Sequence, residues 1–351
     1  MESPFIIRAA CEEDLDAIYR LSRMVYFINL PADRELLKEK IRHSIDSFAG
    51  GVEDKFAREY ILVMESLEDG AVVGTSMVIA RHGSPREPHM YFQLREIHKY
   101  SETIHGGIIH RVLRLRFDDD GPTEIGGLVL APALRGHRDK LGRQLSYSRF
   151  MLIRSRRRSF KSHVLSELMP PLLESGESLL WEALGRRFTN LSYQEADALS
   201  RKNKEFVTSL FPKGDIYTCL LPGEVRDLIG RVGADTLPVK HMLEKIGFSW
   251  RDHIDPFDGG PHYAAETDKI LPVRDTRKMK VGAEPLKRKN GHIGLVSPIE
   301  PEGFRCLQTP FALDRGKVLL PRLTLERLGL GANDSVYFLQ IQPDPSPTRV
   351  N

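Results

Sequence analysis

The residues whose types and spacing suggest chemistry begin in the stretch Glu124–Phe150, which reads EIGGLVLAPALRGHRDKLGRQLSYSRF. A short apolar run, Ile125 to Leu130, is halted by Pro132, because proline donates nothing to a strand ladder. A loop rich in arginine and glycine follows, from Arg135 to Gly142, and then an apolar-periodic run through Leu145, Phe150 and Ile153. The order is strand, glycine-bearing loop, helix. A helix that starts after such a loop presents unpaired backbone N–H groups and the positive end of its dipole, a site suited to a pyrophosphate.

The loop is neither a dinucleotide fingerprint, GxGxxG, nor a nucleoside-triphosphate P-loop, GxxxxGK[ST]. As residues alone, it also suits a surface turn that binds nothing. Leu130, Pro132, Arg135-Gly136, Gly142 and Leu145 together resemble the acyl-CoA loop of the Gcn5-related N-acetyltransferase superfamily, "P-x-x-R-G" then "G-x-x-L". The resemblance implies that the strand backbone meets the pantetheine amides and that the loop holds the CoA pyrophosphate.

The elements around this stretch read as α/β. Phe5–Arg8 is a strand, and Asp14 leads into an amphipathic helix through Leu15, Ile18 and Leu21. Asp33 is placed to cap a helix to about Phe48 that Gly50-Gly51 ends. Tyr60–Glu65 and Val72–Ala80 read as a hairpin, and Leu113–Phe117 as a third strand before the turn Asp118–Pro122. Three adjacent aspartates in that turn cannot converge on one ion, and His105 and His110 are five apart, so neither reads as a metal site. Arg274 to Asn290 is basic, lacks apolar periodicity and reads as a linker. His292–Gln342 then offers strands at Gly294–Val296, Val318–Leu320 and Val336–Ile341, with a short helix at Leu323–Leu328.

The whole chain bounds the function. A net charge of +3 with 28% charged residues points to neither a nucleic-acid binder nor a membrane-surface protein. The run Arg154–Arg158 lacks the interleaved aromatics of a nucleic-acid patch; it reads first as a solvated helix face and second as an aid to CoA phosphates. Cys11, Cys219 and Cys306 are far apart, so neither a disulfide framework nor a zinc site is expected, which fits a reducing compartment. Acids at the N-terminus do not fit a signal peptide, and no apolar run approaches the ~18–20 residues of a membrane span. A cytoplasmic protein is expected.

From Trp181 a collinear series appears: WEALGRRFTNLSYQEADALS, KEFVTSLFPKGDIYTCLL, IGRVGADTLPVKHMLEKIGF and IDPFDGGPHY. Together with Ser148–Met151, the Glu124–Leu130 strand, Leu30-Pro31 and Lys317–Val336, this series resembles the arginine N-succinyltransferase family over nearly the whole chain. The resemblance implies two acyltransferase-like halves of mixed sheets flanked by helices. The first, 1–158, would bind acyl-CoA, and the second, 159–272, would carry the family motifs. Residues 273–351 would form the linker and a small β-rich extension.

The resemblance also implies a reaction, transfer of succinyl from succinyl-CoA to the α-amine of arginine, with no metal. Leu128, Val129 and Leu130 would contact pantetheine and thioester, and Arg135, Gly136 and Gly142 the pyrophosphate. Arginine's guanidinium wants bidentate carboxylates; Glu124, Asp255 and Asp258 are the candidates, although Asp258 with Gly259-Gly260-Pro261 also suits a plain tight turn. The family's proton-donor histidine, after "I-G-x-V", is Gly233 here; His241, His253 or Tyr217 would have to take that role. A histidine restored at Gly233 is expected to raise turnover only in an otherwise family-like site. The family's glycine-rich segment before Leu30 is replaced by Val25–Asn29, which bears on the acceptor. Other readings are an acyl-CoA transferase with another amine such as ornithine, or a non-catalytic CoA-binding subunit. Partners are expected to be small molecules, with assembly as a homo-oligomer or with a related subunit.

Overall fold

A computed structural model describes residues 3–24, 30–85, 87–201, 203–286 and 292–341; the Val25–Asn29 stretch lies outside them. The chain runs β1 (Phe5–Ala9), α1 (Leu15–Ser22), α2 (Arg34–Ala49), β2 (Glu59–Ser66), β3 (Val72–Ile79), β4 (His89–Ser101), β5 (Gly106–Asp118), β6 (Thr123–Leu130), α3 (Leu141–Ser155) and β7 (His163–Glu167). A mainly helical stretch follows: α4 (Arg186–Thr189), α5 (Tyr193–Ser200), α6 (Glu205–Leu210), the short β8 (Ile216–Tyr217), α7 (Gly223–Leu228) and α8 (Leu237–Lys245). The rest is β9 (Ser249–Ile254), β10 (Pro261–Glu266), α9 (Leu271–Asp275), β11 (Arg277–Val281), β12 (Ile293–Pro298), β13 (Arg305–Pro310), β14 (Ala312–Asp314), β15 (Lys317–Leu319), α10 (Arg322–Leu328) and β16 (Ser335–Ile341). The expected α/β class is what is observed: mixed sheets flanked by helices, in two compact units.

The first unit gathers Met1–Ala80, Ile125–Phe160 and Leu271–Asn351. Its strands lie in the order β14-β15-β11-β16-β12-β13-β1-β2-β3-β6. β1 is antiparallel to β2 on one side and to β13 on the other, so Ile7 faces Met64 and Cys306 across the ladder. Helices α1 and α2 cover β2, β3 and β6 through Ile18, Leu21, Leu37 and Ile41 against Ile61, Val63, Met77 and Val129. Asp33 caps α2 by accepting from the N–H groups of Glu35 and Leu36, and Gly50 ends it at φ 82°, as the spacing predicts. Gly74 is required where β3 passes β6: a Cβ there would sit 2.9 Å from the carbonyl oxygen of Val129. The basic run closing α3 is structural. Arg156 donates to the carbonyls of Phe48, Pro301 and Gly303, and Arg157 to that of Phe160. Inside the stretch read as a linker, Arg277–Val281 is strand β11, antiparallel to β16; its exposure hid it, because only Val281 is buried.

The second unit gathers Arg81–Glu124 and Lys161–Ile270. Thr123 and Glu124, the first residues of β6, pair in parallel with Val164 and Leu165 of β7. β7 is antiparallel to β10, β10 to β9, β9 to β4 and β4 to β5, with β8 on the outer edge of β5. The third strand expected at Leu113–Phe117 is longer, and β4 was not legible at all, because much of this hairpin is exposed and lacks clean alternation. Trp181 anchors the helical part. Its ring stacks on Phe257 at 5.0 Å, and its indole N–H donates to the carbonyl of Leu191 at 2.9 Å. Gly185 lies under that ring, where a Cβ would come within 2.3 Å of it; this is the physical content of the W-x-x-L-G motif.

Candidate active site

Residues Ile125–Leu130 of β6, the stretch expected to meet the acyl donor, belong to the first unit. Along β6, Ile125, Gly127 and Val129 are buried while Gly126, Leu128 and Leu130 are half-buried, so one face of the strand is the less covered of the two. The turn Pro132–Leu134 leads to Arg135, which is exposed, and to Gly136 at φ 75°. Lys140, at φ 53°, precedes α3, and no side chain caps that helix start. A Cβ added at Gly136 or Gly142 would meet nothing within 4 Å. Neither glycine is required by packing in the protein itself. Their arrangement at an uncapped helix start leaves open backbone against which an anion can close.

The second unit contains a cluster of ionisable groups. His82 Nδ1 lies 2.7 Å from Glu124 Oε2, and Glu124 is buried. On its other edge, His82 Nε2 is 3.7 Å from Glu167 Oε1. The same Glu167 oxygen is 3.8 Å from His89 Nδ1 and 3.4 Å from His262 Nε2. A carboxylate oxygen of Asp255 completes the group, within 4.8 Å of Glu167 and His262 donors. These residues come from five places: the connection after β3, the start of β4, the start of β6, the end of β7, and the turn and strand at β10.

Their environments push them apart. Burial weakens the charged form of His82, but the Glu124 carboxylate outweighs it and raises the pKa. Burial, then the nearby Glu124 charge, lifts Glu167 to about 8. Burial, aided by the charge of His82, lowers His262 to about 3 and His89 well below its ordinary value. Neither ring nitrogen of His262 has a hydrogen-bond partner among the described residues. Asp255 is raised, chiefly by burial. Lys204 adds positive charge near His82, His89, Glu167 and Asp255.

Asp255 has two duties. Its Oδ1 accepts from the N–H groups of Phe257 and Asp258, which fixes the turn, while the carboxylate still reaches the cluster. Asp258 accepts from Gly260 N–H at 2.7 Å and serves the turn, the plainer of its two readings. His241 is exposed on α8 and makes no hydrogen bond or ion pair among the described residues. Tyr217, on edge strand β8, packs edge-on against His110 at 5.2 Å. His253 stacks against Tyr91 at 4.2 Å. Gly233 is tied to the segment just after Glu167: its N–H donates to Met169 at 2.8 Å, and a Cβ would lie 2.8 Å from the carbonyl oxygen of Pro170. Backbone occupies the space a side chain would need.

Sequence reasoning missed His82, His89, Glu167 and His262. No local signal could have found them, because each is isolated in the chain and they converge only through strand pairing. Each trio, His82-His89-Glu167 or Glu167-Asp255-His262, has donors suited to a divalent ion, but the two share one carboxylate and each offers only three ligands. The same groups suit the cationic ends of an amino acid. No helix among the described residues is long and apolar enough to cross a membrane.

Comparison with known proteins gives a consistent result. A family model described as arginine N-succinyltransferase beta subunit matches residues 5–272. The arginine N-succinyltransferase subunit beta of Pseudomonas aeruginosa is 32% identical over 338 residues, 94% of this chain and 96% of that one. The arginine N-succinyltransferase of Yersinia pseudotuberculosis is 30% identical over 344 residues, 95% of this chain and 97% of its own. A solved structure, arginine/ornithine succinyltransferase subunit AI from Pseudomonas aeruginosa, superposes with a TM-score of 0.84 at 28% identity, covering 97% of this chain and 99% of that one. With the family model spanning most of its length and relatives of 30% identity matching nearly end to end, the chain belongs to the arginine N-succinyltransferase family.

Proposed function

We propose that the chain transfers the succinyl group of succinyl-CoA to the α-amine of arginine. Beyond family membership, one observation carries this reading: the half-buried Glu167 and Asp255 stand beside a histidine–carboxylate pair, His82–Glu124. Carboxylates lifted by burial are relieved by a cation that pairs with them, and a guanidinium is the cation that does so bidentately.

The chemistry is nucleophilic acyl transfer. The α-ammonium of arginine loses a proton to a base. The free amine attacks the thioester carbonyl, the C–S bond breaks, and the CoA thiolate leaves and takes up a proton. The amide nitrogen loses its second proton on collapse. His82 supplies the base: its Nδ1–H donates to Glu124, which fixes the tautomer and leaves Nε2 to accept. Glu167 and Asp255 hold the guanidinium. Leu128–Leu130 offer backbone to the pantetheine, and Arg135, Gly136 and Gly142 lie at the pyrophosphate. A base supplied from the His82–Glu124 pair leaves no need for a histidine at position 233.

The test is thiol release from succinyl-CoA by the purified protein with arginine, with ornithine and with no acceptor. Arginine-dependent release with a mass gain of one succinyl group on the amine is the expected result. Release with ornithine alone would move the acceptor. No release with either would remove the transferase reading.

A further inference from the structure

Arg149, on α3 in the first unit, is 2% exposed, and no carboxylate is among its partners in the described residues. Its Nε donates to the Ser146 carbonyl at 3.3 Å and its Nη2 to Ser146 Oγ at 2.7 Å. Nη1 lies 3.4 Å from the Gly126 carbonyl, a long contact. A guanidinium has five N–H donors, so these three contacts leave two unspent. Burial is the one influence on its charge, and it draws the pKa down to about 9. Arg8 in the same unit is treated differently: it pairs with both Asp14 and Glu65. A buried cation without a counter-charge is costly, and the cost falls when an anion arrives.

The position is informative. Gly126 is on the half-exposed face of β6, two residues before Leu128, or ~7 Å along the strand at ~3.3 Å per residue. Neither Gly126 nor Gly127 carries a side chain, and Gly127 adopts φ 56°, which buckles the strand there. An acyl group running from a thioester beside Leu128 toward Gly126 would bring its far end to Nη1 of Arg149.

We propose that Arg149 receives the free carboxylate of the succinyl group and makes the chain select a dicarboxylate-derived thioester over a neutral one. The inference rests on the donor placement given above and identifies what distinguishes this donor. A carboxylate takes the two unspent N–H groups and replaces the long Gly126 contact with a charge-assisted one.

The experiment measures binding without acceptor, so it does not depend on transfer to arginine. Affinities for succinyl-CoA, butyryl-CoA and free CoA are determined by calorimetry for the wild type, Arg149→Met and Arg149→Lys. The wild type is expected to prefer succinyl-CoA over butyryl-CoA by about 10- to 100-fold, the worth of a buried charged hydrogen-bond pair. Arg149→Met should lose that preference while holding butyryl-CoA and CoA as the wild type does, and Arg149→Lys should keep part of it. Equal weakening of all three ligands in a folded Arg149→Met would make Arg149 structural and overturn the proposal. So would a wild type that does not discriminate, a result that needs no variant to fold. Discrimination without arginine-dependent thiol release would keep this proposal and remove the acceptor reading instead.

Discussion

Glu124→Gln separates a working His82–Glu124 pair from a merely structural one. The side chain is buried and the substitution nearly isosteric, so the strand pairing of Glu124 with Leu165 should persist. What goes is a charge-assisted contact of 2.7 Å to His82 Nδ1. Such a hydrogen bond is worth about 1.5–3 kcal/mol, which predicts a fall of about 10- to 150-fold in kcat/KM for arginine. The pH profile should move as well. Burial pushes the pKa of His82 down and Glu124 pushes it up and prevails; without Glu124, burial and Lys204 remain against the pull of Glu167. His82 acts as a base only when neutral, so activity rises with pH through its pKa. In the variant that limb should shift to lower pH while the plateau drops. Stability should respond with its own sign. A histidine raised in the folded state contributes stability below its unfolded pKa of about 6.5 and loses it as pH rises through the folded value. The gap in Tm between wild type and variant should therefore narrow as pH rises. The assay is thiol release across pH, with CoA affinity as a control. A variant within about threefold of wild-type kcat/KM, with an unmoved acid limb, would refute the assignment of His82 as base.

Two further substitutions test the donor loop and the position of the family histidine. Gly142→Ala adds a methyl that meets nothing within 4 Å in the protein, at the second residue of α3. Alanine favours a helix over glycine by up to ~1 kcal/mol, so the melting temperature should hold or rise slightly while CoA affinity drops at least about tenfold; unchanged affinity on titration would move the pyrophosphate elsewhere. Gly233→His places a Cβ 2.8 Å from the carbonyl oxygen of Pro170. Overpacking of this kind costs roughly 1–3 kcal/mol, so thermal unfolding should come earlier with no gain in turnover; higher kcat at an unchanged Tm would show that the site still has room for that side chain.

Much of the first unit was legible because its signals are local. The cap at Asp33, the stop at Gly50, the hairpin of β2 and β3 and the strand–loop–helix at Leu128–Leu145 each depend on residues a few positions apart, and a backbone preference acts at that range. The β4–β5 hairpin and β11 were harder to read, since exposed strands have no buried face to impose a period of two. The motif residues Trp181, Gly185 and Phe257 were recognisable as a series, but their reason, a stacked ring lying over a glycine, is a contact between segments.

The sequence by itself determined the fold class, the strand–loop–helix order at Leu128–Leu145 and the family. It also marked Glu124 and Asp255 as acids of interest, and it showed that position 233 lacks a histidine. Only the tertiary structure decided which ionisable groups are brought together. His82, His89, Glu167 and His262 come from four separate strands or their connections and meet because β7 pairs with β6 and β10, and β4 with β9. Arg149 lies in a helix that reads as ordinary, and only burial without a counter-ion sets it apart. The physical reason is the same in both cases. The pKa of a side chain and the partners it lacks are set by what surrounds it in space, and those neighbours are distant in the chain.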